Sequence, residues 1–179
     1  MLLFRDPSVD GLKTGHTSAA GYCLVATARR QVAGLGEGAQ GQRRLISVLL
    51  GASSENARAA ESQKLLNWGY TAFEAVKLFD AGKPVATPAV WKGKDSVLKI
   101  GREEAIVVAV PAGSAGKVTT QISRPDPLVA PYTKGQPIGT LKVMLGEQVV
   151  GEVPLLALEG VEQAGILGRA WDAIRLWIK

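Results

Sequence analysis

Eight of the nine prolines fall between Pro84 and Pro154, and they restrict the second half of the chain more than any other feature. Pro84, Pro88, Pro111, Pro125, Pro127, Pro131, Pro137 and Pro154 forbid any long helix over that stretch, because each removes a backbone donor and fixes φ. Between them lie Val-rich runs, Ala105–Val110, Lys117–Ile122 and Gly139–Leu145. Short apolar runs at regular intervals with turn residues between them predict a small all-β domain over residues 81–157. Gly146-Glu147-Gln148 is the expected tip of one hairpin. No internal repeat is visible.

The first 80 residues have a different grammar and read as strand, strand, strand, helix. Val9–Thr17 and Gly21–Ala28 are the first two strands. Arg44-Leu45-Ile46-Ser47-Val48-Leu49-Leu50-Gly51 is a third, apolar and bounded by charge and glycine, which suits a strand buried on both faces. The glycine-rich link 34–41 predicts a flexible hairpin loop. Ser53 or Ser54 offers an N-cap to a helix running to about Phe79. Ala60, Leu65, Trp68, Ala72, Phe73 and Val76 form its expected core stripe, with Gly69 a mild interruption.

Residues 158–179 return to helical spacing. Leu167, Ala170, Trp171, Ile174, Trp177 and Ile178 share one face, and Arg169, Asp172, Arg175 and Lys179 the other; Leu176 falls among the polar residues. Two tryptophans opposite basic residues predict an interfacial membrane helix, against the alternative of a helix docked on its own domain. The expected class is therefore α+β, in three segments: 1–80, 81–157 and 158–179.

Composition excludes little. The 179 residues carry a net charge of +5 and a pI near 9.5, which permits an anionic partner such as a membrane surface or cell-wall polymer. Aromatics are few and Lys/Arg are spread over both halves, so nucleic-acid binding is not expected. Cys23 is the only cysteine, so no intrachain disulfide can form, and its strand context suggests a buried small hydrophobe. No run is long enough to span a bilayer. Met1-Leu2-Leu3-Phe4 is followed at once by charge and proline, so no secretory signal is expected. No cofactor or metal is expected.

The chemistry-bearing run is Asp10-Gly11-Leu12-Lys13-Thr14-Gly15-His16-Thr17. An ammonium at Lys13 attracts a carboxylate, the Thr14 hydroxyl can bond the same group, and Gly15 lets a ligand backbone lie against the strand. A strand edge can also bind an extended peptide through main-chain hydrogen bonds. His16, the only histidine, is either a solvated loop residue or a site residue. Arg58, in the first helical turn, is either an exposed helix charge or a guanidinium placed for bidentate carboxylate binding.

These segments together resemble the low-molecular-mass penicillin-binding proteins, the serine-type D-Ala-D-Ala carboxypeptidases of peptidoglycan maturation. Lys-Thr-Gly is one of their signatures. The resemblance rests on Val9–Thr17, Gly21–Ala28, Arg44–Gly51 and Arg58-Ala59-Ala60-Glu61-Ser62-Gln63-Lys64-Leu65-Leu66-Asn67-Trp68-Gly69, and it continues through the β domain and the terminal helix. It implies part of a transpeptidase-like sheet plus helix before the β domain. It implies catalytic roles for Lys13 and His16. Thr14, Gly15, Thr17 and Arg58 would bind substrate, with Arg58 holding the terminal carboxylate of a stem peptide ending in D-Ala-D-Ala. It implies β-lactam binding by the complete enzyme, on the periplasmic face of the cytoplasmic membrane. Leu167, Trp171, Ile174, Trp177 and Ile178 would contact that membrane.

The resemblance also implies what precedes the motif. The family's Ser-x-x-Lys and Ser-x-Asn motifs lie upstream of Lys-Thr-Gly, whereas here the look-alikes Ser96–Lys99, Ser114–Lys117 and Ser54–Asn56 lie after it. A Ser/Lys pair needs one helical turn to bring hydroxyl and amine together, and both tetrads read as strand or turn. The chain is thus expected to lack the nucleophile and to be inactive alone. The alternative is a non-catalytic, membrane-peripheral binding or scaffold module. Three strands without the rest of their sheet would expose an apolar face, so self-association through them is expected.

Overall fold

The computed structural model describes residues 2–35 and 41–165, together with Gly168 and Asp172. The chain divides into two compact units, Met1–Val76 with Ala109–Ala115, and Lys77–Val108 with Gly116–Lys179. The α+β class is observed.

The first unit begins with a short 3-10 turn, Leu2–Phe4, followed by β1 (Val9–Thr17), β2 (Gly21–Gln31), β3 (Gln42–Ala52) and α1 (Glu55–Ala72). The strands form an antiparallel sheet in the order β1-β2-β3. Ser54 opens α1 from an extended conformation, its hydroxyl accepting the Ala57 amide at 3.1 Å. One helix face packs on the sheet through Ala59, Ser62 and Leu66, against Leu24, Ala26 and Ala28. Small residues on both sides let the helix backbone come close. Gly69 serves the same approach, since a Cβ there would lie 2.9 Å from the Leu45 side chain.

Three expectations fail in this unit. α1 ends at Ala72, and Phe73–Phe79 is a strand, β4. Arg43 of β3 ends the helix: its guanidinium donates to the carbonyls of Gly69 (2.7 Å) and Phe73 (2.8 Å), placing a cation on the negative end of the helix. The expected core stripe is also wrong. Leu65 and Trp68 are exposed, and the buried positions are the smaller Ala59 and Ser62 with Leu66. Finally, β3 is covered on one face only: Ser47 is buried, while Ile46, Val48 and Leu50 are 62%, 57% and 71% exposed.

The second unit contains a five-stranded sheet in the order β5-β7-β12-β11-β9, with β5 Pro84–Ala86, β7 Ile100–Gly101, β9 Val118–Ser123, β11 Pro137–Leu145 and β12 Gln148–Ala157. β6 (Val90–Trp91) pairs in parallel with β10 (Leu128–Val129). β4 pairs with β8 (Ile106–Pro111), and these two strands carry the chain between the units. The expected hairpin tip is present: β11 and β12 are joined at Gly146-Glu147, with Gly146 at φ 61°. The core centres on Leu98, Ile100, Leu128, Leu141, Leu155 and Val161, all at most 1% exposed.

Residues 158–165 are not helical as expected. Val161 is drawn into the core, and its backbone exchanges two 2.9 Å hydrogen bonds with Tyr132. Gly168 and Asp172 are helical, and the Asp172 carboxylate accepts the Lys92 amide at 2.7 Å. Leu167, Trp171, Ile174, Trp177 and Ile178 lie outside the described residues, as does most of the loop expected at 34–41. Among the described residues no helix is long and apolar enough to cross a membrane.

Candidate carboxylate-binding wall

The Lys-Thr-Gly run lies on β1, an edge of the sheet among the described residues. Its register against β2 is regular: Lys13 faces Val25, Thr14 faces Leu24, Gly15 faces Cys23, His16 faces Tyr22. Paired residues share a face and successive residues alternate. Leu24 belongs to the core beneath α1. Thr14 and His16 therefore lie on the α1 side, and Lys13, Gly15 and Thr17 on the other. The motif reaches both faces of one exposed edge.

Lys13 through Thr17 are exposed, and the Lys13 ammonium has no partner among the described residues. Gly15 is not required by the protein's own packing: a Cβ there would meet only the Cys23 Cβ, at an ordinary 3.9 Å. The space it leaves lies on the sheet face away from α1. Thr17 has a local role, its hydroxyl accepting the Ala20 amide at 2.9 Å and shaping the β1–β2 turn. Cys23 is half-buried, its thiol directed to the Ala20 carbonyl at 3.4 Å.

Arg58 is buried and comes to this edge from the first turn of α1. One guanidinium nitrogen donates to the Gly15 carbonyl at 3.4 Å and another to the Glu55 carboxylate at 2.6 Å. Its Cζ lies 5.5 Å from the centre of the Tyr22 ring, and the same ring lies 4.1 Å from the His16 imidazole. The structure thus brings Thr14, Gly15, His16 and Arg58 together, with Lys13 on the far face of the same strand. Tyr22 and Glu55 were not singled out from the sequence. The register pairing of Tyr22 with His16, and the i,i+3 spacing of Glu55 and Arg58, are the signals that could have found them. A cavity of about 200 Å³ beside the wall is lined by Leu2, Leu12, Thr14, Leu24, Glu55 and Arg58 among others.

The base of the wall is braced by charge. Arg29 stands opposite Arg44 and Arg30 opposite Arg43 across the β2–β3 ladder, an arrangement that is repulsive unless neutralised. Asp10 bridges Arg29 and Arg44, and its bonds from Arg44 and Thr27 hold its carboxyl far below the usual range. Asp6 pairs with Arg30. Burial opposes the Asp6 charge, but bonds from Ser8 and Arg30 outweigh it and its carboxyl is also lowered.

The sequence look-alikes occupy other roles. Ser54 caps α1. Ser96 lies in irregular backbone, and the Lys99 ammonium pairs with Glu159 at 3.0 Å. Ser114 precedes a one-turn 3-10 helix, Ala115–Lys117. Among the described residues no cluster of His, Cys, Asp and Glu could hold a metal ion.

Comparison with known proteins accounts for both units. Residues 1–54 match the family of D-alanyl-D-alanine carboxypeptidases, and residues 73–163 match the C-terminal domain of penicillin-binding protein 5. The chain is 39% identical over 170 residues to D-alanyl-D-alanine carboxypeptidase DacC of Escherichia coli K12, covering 94% of this chain and 40% of the relative. It is 36% identical to DacA of Haemophilus influenzae, covering 96% and 42%. The crystal structure of penicillin-binding protein 5 from Haemophilus influenzae superposes with a TM-score of 0.75 at 34% identity, over 90% of this chain and 45% of that one. The chain spans about two fifths of the length of these curated relatives. It belongs to the low-molecular-mass penicillin-binding D-Ala-D-Ala carboxypeptidase family, whose C-terminal portion it matches.

Proposed function

We propose that this chain supplies the substrate-binding wall of a serine-type D-Ala-D-Ala carboxypeptidase that trims peptidoglycan stem peptides. One observation carries the reading: a strand edge unpaired among the described residues presents Lys13, Thr14 and Gly15 beside a buried arginine that bonds to the Gly15 carbonyl. An extended peptide can add to β1 by main-chain hydrogen bonds, with its terminal carboxylate turned toward Arg58. That carboxylate must displace Glu55. Lys13 and His16 flank the edge from its two faces and support proton transfer.

In the complete reaction a serine hydroxyl attacks the penultimate D-Ala carbonyl. The peptide bond breaks, terminal D-Ala leaves as the free amine, and water then hydrolyses the ester to regenerate the serine. The serine and its base belong to the Ser-x-x-Lys motif of the family, which the wall itself does not contain. Loss of a nucleophile costs orders of magnitude in rate even when the surrounding site survives, so this chain alone does not turn over. The complete enzyme would bind β-lactams and work at the cell wall, on the outer face of the cytoplasmic membrane, held there by the terminal helix.

Three measurements test this. Titration with N-acetyl-Lys-D-Ala-D-Ala, followed by NMR, should shift the amides of Lys13 to His16, and Arg58→Gln should abolish the response. Shifts confined to other residues would sink the assignment of the wall. Intact mass after excess penicillin should show no adduct; a stoichiometric adduct on Ser96 or Ser114 would overturn the inactive reading. Removal of residues 166–179, which leaves the buried Val161 in place, should abolish binding to anionic liposomes, and unchanged binding would remove the anchor.

A further inference from the structure

His16 and Arg58 reach the wall from different elements, β1 and α1, and one ring touches both. Tyr22 lies opposite His16 in the β1–β2 register, with ring centres 4.1 Å apart and planes tilted by 38°. The Arg58 Cζ lies 5.5 Å from the same ring. The polar contacts of the buried guanidinium are weak. Its bond to Gly15 is long at 3.4 Å, and its ion pair is with an exposed Glu55 one helical turn away, a type of pair that contributes little.

Tyr22 itself is well fixed. Its backbone pairs with His16 on one side and Ala52 on the other. The preceding Gly21 sits at φ 65°, where a side chain would lie 3.0 Å from the Ala52 carbonyl, so the strand start has one seating. The ring has two side-chain torsions to hold, against four in arginine. The Tyr22 hydroxyl has no hydrogen-bond partner among the described residues, which places the role in the ring face.

We propose that Tyr22 is a positioning residue: its ring holds the His16 imidazole and the Arg58 guanidinium in fixed relation at the Gly15 edge of the wall. The inference builds on the proposed substrate-binding role of Arg58 and His16, but its first test does not depend on that role.

His16 is the only histidine, so its ring protons give one assignable set of NMR signals. In the full chain they should be displaced upfield by the Tyr22 ring and show cross-relaxation to its protons. Tyr22→Phe should keep both signatures. Tyr22→Leu should return the His16 signals toward their unfolded position and weaken N-acetyl-Lys-D-Ala-D-Ala binding about 3- to 10-fold, the worth of a partly buried cation–π contact. Absence of His16–Tyr22 cross-relaxation in the unmodified chain overturns the inference without any variant, so a Leu variant that fails to fold does not shield it. Tyr22→Phe behaving like Tyr22→Leu overturns it too, because the hydroxyl would then be the active part. If the tripeptide fails to bind the unmodified chain while the ring signatures are present, the substrate reading falls and the positioning geometry stands.

Discussion

β3 of the first unit and β11 of the second carry equally apolar runs and bury them differently. Leu45-Ile46-Ser47-Val48-Leu49-Leu50 puts its serine inside and Ile46, Val48 and Leu50 largely in solvent. In β11, Leu141 and Val143 are fully buried and Lys142 lies between them, on the more open face. The difference is coverage. β11 sits inside a sheet with partners on both edges and a closed core against one face. β3 is an edge with a helix on one face and no layer on the other among the described residues. A run of apolar residues reports affinity for a core; whether a core is present depends on other elements.

Core truncation should separate the two units most strongly. Leu141→Ala removes a fully buried side chain from the second unit and should cost about 2–5 kcal/mol. Thermal melting followed at unit-specific NMR signals should lower the second unit's midpoint and leave that of His16 in the first unit in place. A common shift of both would mean that the two units melt as one, and the contrast would collapse.

Overpacking probes the first unit instead. Ala26 is fully buried where α1 meets the sheet. Ala26→Leu should push the helix off and cost about 1–3 kcal/mol by urea titration. A neutral result would show that the interface has slack and that its small residues are incidental.

Tyr70 gives a smaller effect with a more specific origin. Its hydroxyl lies 2.8 Å from the carbonyls of both Ala28 and Arg43, and its ring is flanked by the guanidiniums of Arg30 and Arg43 at 4.6 and 5.0 Å. Burial pushes the phenol pKa up, so it stays a neutral donor. Tyr70→Phe keeps the stacking and removes the single O–H donor that the two carbonyls share, at a cost of about 1–2 kcal/mol. A change below a few tenths would mean that water replaces the hydroxyl.

Acid should act in the same region. Asp6 and Asp10 both have carboxyl pKa values lowered by their arginine and hydroxyl partners. A lowered carboxylate stabilises the fold above its unfolded value of about 4, and that contribution fades as pH falls through the folded value. The first unit's melting temperature should therefore drop as pH falls below about 4, and Asp6→Asn should flatten part of that slope.

How much of this was legible from the residues follows the same division. The all-β second unit was readable because prolines and glycines mark turns by local chemistry. The Lys-Thr-Gly strand and its partner were readable because both contrast with flanking turns. The end of α1 was not, since it is set by Arg43, a residue 26 positions before Gly69, and Phe73–Phe79 satisfies helical and strand spacing about equally. The buried face of α1 was missed because Leu66 is its one large apolar residue, and the Arg58, Ala59 and Ser62 beside it carry little hydrophobic signal. At the site, Lys13 and Gly15 stood out by motif and Arg58 by resemblance, whereas Tyr22 and Glu55 act through neighbours that only the fold supplies.

The smallest stability effect makes the sharpest test of the bare face. Ile46 and Val48 are more than half exposed, so Ile46→Lys with Val48→Lys should change folding stability by no more than about 0.5 kcal/mol. The effect should appear in association instead. A strand edge unpaired among the described residues, apolar and free of charge between Arg44 and Gly51, is a template for pairing with a second copy. Arg43 and Arg44 at one end of it favour antiparallel pairing, which sets each arginine pair against the uncharged end of the partner strand; parallel pairing would stack like charges. Light scattering at tens of micromolar should show self-association for the unmodified chain and a monomer for the double lysine variant. A monomer in both would mean that the face is tolerated as it stands. A variant that unfolds would mean that Ile46 and Val48 are packed after all, and the contrast between β3 and β11 would be lost.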